Sequence, residues 1–264
     1  MGSDKKADGT PELGEELAED TLLSHLVELR NRLIKAFGAV VAVFVLLVPV
    51  SRQLFDLAVG PLVSVLPSGQ VQAISVMSPL IATLKLSFLV ALMIAMPIVL
   101  YQTWAFVAPG LYKKEKRFAY PMLGSSILLF YAGVAFAFFV VFPLMFTFIS
   151  NFATDRMAYQ PDISEYISFI TMIVLAFGIA FEVPIATVLL VWTGLVKTEK
   201  LAKGRPYVFL IAFIVGMFLT PPDVFSQTFL AVPVYLLFEV GLLMARIFAT
   251  KPEEADDEAV AADS

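Results

Sequence analysis

Apolar residues in this chain come in runs too long and too uniform for a soluble core, with the polar residues gathered between them. Leu33–Val50 is apolar apart from Lys35, and Leu86–Val107 and Phe118–Ile149 carry no charge. Tyr166–Val196 holds only Glu182, and Val224–Ala245 only Glu239. Tyr207–Leu219 is shorter and ends at Thr220-Pro221-Pro222-Asp223. A bilayer core takes about 20 apolar residues per helical span. Backbone groups in lipid must be satisfied within the segment, and the period-two alternation of a barrel is missing. The pattern predicts an all-α polytopic membrane protein with six transmembrane helices.

The charges give those helices a direction. The chain has 18 Lys and Arg, and most fall in clusters: Arg30/Arg32/Lys35, Lys113/Lys114/Lys116/Arg117, Lys197/Lys200/Lys203/Arg205 and Arg246/Lys251, with Lys5 and Lys6 at the start. The alternate connections hold only Arg52, Arg156 or nothing. Basic loops stay cytoplasmic, which puts both termini inside. Lys85 is the exception, expected to snorkel at the outer end of the second span. The basic start before Leu33–Val50 resembles a signal peptide, but it follows an acidic segment and no cleavage site closes it, so a retained first span is expected.

The net charge is −5 and sits mainly in two tails. Residues 1–21 and 251–264 are acidic and poor in apolar groups, the composition of solvated, disordered extensions. They flank a membrane domain over 22–250. Pro97, Pro143, Pro184 and Pro233 fall in four spans, and each removes a donor and crowds the preceding turn. Kinked helices forming a concave assembly are expected. Gln53–Leu66 reads as an interfacial segment interrupted by Gly60 and Pro61.

Catalytic chemistry finds no footing. There is one histidine and no cysteine, so a metal centre has no ligand set, and no cofactor is expected. Gly-x-Ser-x-Gly, Walker and Gly-x-Gly-x-x-Gly patterns are missing. No enzymatic role and no nucleic-acid partner are expected.

Three carboxylates stand in unusual places. Glu28 lies on the polar face of an amphipathic segment with His25, Arg32 and Lys35, opposite a stripe of Leu22, Leu26, Leu29 and Leu33. On residue type alone its role is an i,i+4 pair with Arg32, worth a few tenths of a kcal/mol (about 0.2–0.5). Glu115, inside Lys113-Lys114-Glu115-Lys116-Arg117, reads first as part of a self-neutralising loop. Glu182 differs, because a carboxylate at membrane depth costs about 2.5–3.5 kcal/mol on insertion scales and marks a functional site by default. It is expected to face protein or water, whether ionised or protonated and bonded to a neighbouring helix.

Four segments together resemble one family. His25-Leu26-Val27-Glu28-Leu29-Arg30-Asn31-Arg32-Leu33 is the first. The second is Tyr101-Gln102-Thr103-Trp104-Ala105-Phe106-Val107-Ala108-Pro109-Gly110-Leu111-Tyr112 with Glu115. Phe181-Glu182-Val183-Pro184 and Leu219-Thr220-Pro221-Pro222-Asp223-Val224-Phe225-Ser226-Gln227 complete the set. In this order, from about Ser24 to Arg246, they resemble TatC, the multispanning subunit of the twin-arginine protein translocase. The resemblance implies a receptor in the bacterial cytoplasmic membrane for folded cargo whose signal peptides carry paired arginines. It implies single-span TatA-like and TatB-like partners, a homo-oligomer within the receptor complex, and transport driven by the proton-motive force. The matching residues would be Glu28, Arg30, Phe106 and Glu115 for the signal peptide, Pro61 in the first outer loop, and Glu182 on the concave side. Met217, Thr220 and Gln227 would dock a partner helix.

The chemistry agrees with that implication. Guanidinium forks suit bidentate carboxylates, whereas lysine offers a point charge. Glu28 and Glu115 could each take one arginine, while the surrounding basic residues hold the loops at anionic lipid. The short fifth span, roughly 20 Å at 1.5 Å per residue, would thin the bilayer beside it. A proton-coupled small-solute transporter using Glu182 is the alternative, and it would need a substrate pocket at the membrane midplane.

Overall fold

The structure is a computed structural model that describes residues 11–63, 72–107, 116–152, 162–219 and 224–249, with side chains described from Leu23 onward except at 58–63, 116–119, 149–152 and 248–249. Every regular element among the described residues is helical. Five helical stretches are long and apolar enough to cross a membrane: Leu23–Leu57, Ser78–Val107, Tyr120–Phe148, Ile163–Trp192 and Val224–Ile247. A sixth apolar helix, Arg205–Leu219, is shorter at 15 residues. The chain is a multi-pass membrane protein.

The first span is α1, Pro11–Leu47. It opens eleven residues before the membrane domain expected from residue 22, so the backbone of 11–21, expected as a disordered tail, is helical. Pro11 suits a helix start and the Glu- and Leu-rich segment propagates it. A 3₁₀ turn at Val48–Val50, with Pro49 at its start, leads into α2, Ser51–Val63. Gly60 and Pro61 lie within α2 and do not break it. The next helix, α3 (Ser78–Val107), begins well before the apolar run. Lys85 is therefore two turns inside the helix, not at its outer end. Its exposed Nζ donates to Ser168 Oγ at 2.8 Å.

Proline acts differently from site to site. In the third span, α4 (Lys116–Phe136) passes through a π-helical turn at Ala137–Val141 into α5 (Phe142–Phe152). Pro143 follows that turn. It cannot donate to Phe139, and the widened turn accommodates the ring. The fourth span is cut in two. α6 (Ile163–Ala180) ends at Phe181, and α7 (Val183–Trp192) begins with Pro184 at its first turn. Glu182 stands at the break. Pro97 and Pro233, by contrast, lie within unbroken helices. α7 ends before Gly194, whose φ of +70° allows Val196 N–H to reach Leu190 C=O at 3.1 Å, the left-handed stop that glycine favours. α8 (Thr198–Lys203), α9 (Arg205–Leu219) and α10 (Val224–Ala249) complete the chain.

The central element is α6, which packs on α3, α4, α9 and α10, while α1 packs chiefly on α3 and α10 on α7 and α9. Its apolar column of Ile167, Ile170, Ile173, Val174 and Phe177 is fully buried, with Phe130, Phe142 and Met145 against it. Membrane helices associate through close packing more than through a hydrophobic driving force, so small residues sit at the tightest contacts. A Cβ at Gly178 would meet Phe130 Cε2 at 2.5 Å, one at Gly133 would meet Phe177 O at 2.5 Å, and one at Gly241 would meet Pro184 Cα at 2.7 Å.

Candidate functional site

The polar side chains gather in three places. The first is where the N-terminal part of α1 meets the end of α3. His25, Glu28 and Arg32 share one face of α1 at spacings of three and four. His25 stacks on Phe106, one residue before the end of α3, with ring centroids 4.3 Å apart and planes at 23°. One turn further, Glu28 Oε1 accepts from Arg32 Nη2 at 2.6 Å and from Arg32 Nε at 2.9 Å. The i,i+4 pair read from the sequence is therefore formed, with side chains 35% and 25% exposed. A half-buried i,i+4 pair of this kind is worth roughly 0.2–0.5 kcal/mol. Arg30 is exposed and only grazes Asn31 Oδ1 at 3.4 Å. Glu115 lies outside the described residues, just before α4.

The second place is the break at Glu182. The residue is half-buried, and its Oε1 is fully buried with no hydrogen-bond partner. Ser126 Oγ, buried on α4, accepts from Trp104 Nε1 at 3.0 Å. Phe136 packs on Phe177 and on Phe181, the residue before Glu182, with ring centroids 5.4 and 5.6 Å apart.

The third place joins α9 and α10. Gln227 Nε2 donates to Phe213 C=O at 2.6 Å, and Gly216 lets the two helices approach there. Met217 is 51% exposed on the same helix. Thr220 lies outside the described residues, as does the side chain of Pro61. Lower on this pair, Arg205 and Glu239 form an ion pair at 2.7 Å, Arg205 Nη2 donates to Glu239 Oε2 at 2.8 Å, and Tyr235 Oη donates to Oε1 at 2.8 Å. That pairing gives Glu239 a structural partner at membrane depth.

A clip between the segment before α3 and the start of α6 was not foreseen. Asp162 caps α6 by accepting from Ser164 N and Glu165 N, and it also accepts from Ile74 N at 2.9 Å and Ser78 Oγ at 3.4 Å. Ile163 N donates to Gln72 C=O at 2.8 Å. These bonds tie the segment before α3 to the start of α6. The Ile74 N–H above all, with those of Ser164 and Glu165, holds the Asp162 carboxyl below its ordinary range, although partial burial opposes the shift. Asp162-Ile163-Ser164-Glu165 is a capping-box spacing, the signal that could have located it. Trp104 and Ser126 gave no such signal, because neither is charged.

Among the described residues no group of three His, Cys, Asp or Glu is arranged to hold a metal. A cavity of about 570 Å³ lies between α6, α7, α9 and α10. Its walls, including Met172, Phe177, Ile211 and Leu230, are apolar, and Glu182 does not line it.

Comparison with known proteins gives a consistent result. The family model described as Sec-independent protein translocase protein (TatC) matches residues 24–233. The TatC protein of Haemophilus influenzae is 49% identical over 235 residues, covering 89% of this chain and 92% of its own length. That of Escherichia coli K12 is 49% identical over 242 residues, covering 90% and 94%. A crystal structure of the twin-arginine translocase receptor TatC superposes with a TM-score of 0.78 at 37% identity, covering 86% of this chain and all of that one.

Proposed function

The chain belongs to the TatC family of Sec-independent protein translocase proteins, and from that premise we propose that it is the receptor subunit for twin-arginine signal peptides. The observation that carries this reading is the His25–Phe106 stack beside the Glu28–Arg32 pair. It joins the two segments of the family signature at one end of the bundle, an aromatic surface next to an exchangeable carboxylate. An incoming arginine can displace Arg32 from Glu28 at small cost, since an i,i+4 pair on a helix surface contributes only about 0.2–0.5 kcal/mol. Its guanidinium then gains a charge-assisted bond and stacks on the ring. Glu115, adjoining α4, supplies the second carboxylate, and the exposed Arg30 lies in the same α1 segment.

In this account the termini and the basic loops are cytoplasmic, in a bacterial inner membrane. Met217, Thr220 and Gln227 form a docking edge for TatA-like and TatB-like single-span subunits. Pro61 shapes the first outer loop, several copies assemble in the receptor complex, and the acidic tails remain solvated. Cargo moves on the proton-motive force, with no catalytic step by this chain. The transporter alternative has weaker support, because the cavity is apolar and excludes Glu182.

The test is photo-crosslinking in inverted membrane vesicles. A photoreactive residue at Phe106 should capture a twin-arginine precursor, and one at Leu195, on the turn after α7, should not. Equal capture at both positions, or at neither, would overturn the assignment.

A further inference from the structure

The apolar cavity takes no part in peptide recognition as proposed above. Its volume is about 570 Å³, inside the roughly 300–1,000 Å³ of small-molecule sites. It opens sideways, because Met172, Ile179, Ile211 and Val215 on its wall are 38%, 64%, 56% and 43% exposed. The wall runs from Val208 to Leu219 on α9, and from Met172 to Val183 along α6 into α7. At 1.5 Å per residue the slot is roughly 16 Å long. One leaflet's share of a hydrocarbon core about 30 Å thick is about 15 Å.

A cation heads this slot. Ser168, Met172, Leu175 and Ile179 follow on α6 at spacings of three and four, so they share one face. Ser168 therefore lies one turn beyond the rim at Met172. Lys85, exposed on α3, donates to Ser168 Oγ at 2.8 Å. Ser168 gives its own proton to Ser164 C=O, so it orients the ammonium and leaves the other Lys85 N–H donors open. Among the described residues the ion pairs are Glu28–Arg32 and Arg205–Glu239. Glu165, one turn before Ser168, is exposed and pairs with no cation there. A lysine at membrane depth without a counter-charge marks a binding site by default.

We propose that the slot binds an acyl chain of an anionic phospholipid whose phosphate pairs with Lys85. A negative head on a hydrocarbon tail matches a cation at the end of an apolar wall. An apolar helix in the slot would leave Lys85 without a counter-charge. The level also fits. α9 has 15 residues, a span of roughly 22 Å, and the bilayer thins beside so short a helix. Thinning brings phosphates toward Lys85, two turns inside α3. The lipid site depends on the membrane placement of the helices and not on the receptor role, so either can fail alone.

The test uses the purified full chain in nanodiscs of phosphatidylglycerol and phosphatidylcholine, with a trace of either lipid carrying a photoreactive acyl chain. Labelling, located by mass spectrometry, should concentrate on the slot, at Leu175 and Ile211, over the exposed side of α1 around Phe37 and Leu46. Ala176→Phe and, at the mouth, Ile211→Trp should each bring labelling of Leu175 down to the α1 level, with thermal unfolding confirming that the variants are folded. Lys85→Gln should lower the preference of the slot for phosphatidylglycerol about five-fold, equivalent to about 1 kcal/mol for one basic residue at anionic lipid. Lys85→Arg should keep it. Inorganic phosphate should leave labelling unchanged, since it has no chain for the slot. Equal labelling of slot and α1 would mean boundary lipid only and overturn the proposal. Full preference in Lys85→Gln, or competition by inorganic phosphate, would overturn it too. So would capture of a protein in place of lipid by a photoreactive residue at Leu175 in whole membranes, which would give the slot to a helix.

Discussion

Gly241→Ala tests the packing that holds Glu182 in place. Gly241 is buried in α10, and a Cβ there would sit 2.7 Å from Pro184 Cα, 3.1 Å from Thr187 Cβ and 3.2 Å from Pro184 O. Carbon atoms prefer about 3.5–4.0 Å, so α7 and α10 must separate by roughly an ångström at this point. The obstructing atoms are backbone, and Pro184 is fully buried, so no side-chain rotation can relieve them. Overpacking of this kind costs about 1–3 kcal/mol, while removing a helical glycine returns about 0.5–1 kcal/mol. The net expectation is a loss of roughly 0.5–2 kcal/mol. Gly124→Ala, in α4 with nothing within 4 Å, keeps only the gain. Thermal unfolding of both purified variants in one detergent should therefore move in opposite directions. Export should fall with Gly241→Ala, because the separation occurs two residues from Glu182. If Gly241→Ala were as stabilising as Gly124→Ala, the close α7–α10 contact would be wrong.

Three further outcomes are expected. Asp162 has its carboxyl pKa lowered in the fold, so its clip is fully present above the ordinary value of 3.8 and is lost as pH falls through the lower folded value. Thermal stability of wild type should drop below about pH 4 and that of Asp162→Asn should drop less; parallel curves would remove Asp162 from the account. Glu182→Gln should be much milder for export than Glu182→Lys, because Gln keeps hydrogen-bonding capacity while Lys adds a charge costing about 2.5–3.5 kcal/mol at membrane depth; equal loss at normal abundance would mean that ionisation is essential. Glu115→Lys should weaken peptide crosslinking more than Glu115→Ala, since repulsion adds to the lost bond. Charge reversal at Glu199 should be nearly silent, and a silent Glu115→Lys would return that carboxylate to the loop surface.

The spans were legible because uncharged runs in lipid have one outcome, and the break at Glu182 was foreshadowed by Pro184. The Glu28–Arg32 pair followed from helical spacing alone. The Lys85 partner was not legible because Ser168 is 83 residues away, and no local pattern announces a partner on another helix. The same reason hid Trp104 with Ser126 and Arg205 with Glu239. The π turn before Pro143 escaped because proline indicates a lost donor but not how the helix absorbs it. At the first site, His25 was read as a lone residue on a polar face. Only the packing of α1 on α3 turned it into the neighbour of Phe106.

The central claim is recognition of paired guanidinium groups, and direct binding tests it most plainly. Affinity of the purified chain in lipid nanodiscs should be measured for a signal peptide carrying two arginines and for the same peptide carrying two lysines. Equal charge on both peptides cancels bulk attraction and leaves the fork geometry as the difference. The account predicts at least ten-fold tighter binding of the arginine peptide, about 1.4 kcal/mol, with the advantage lost in a Glu28→Ala, Glu115→Ala double variant. Equal affinity for the two peptides would contradict it.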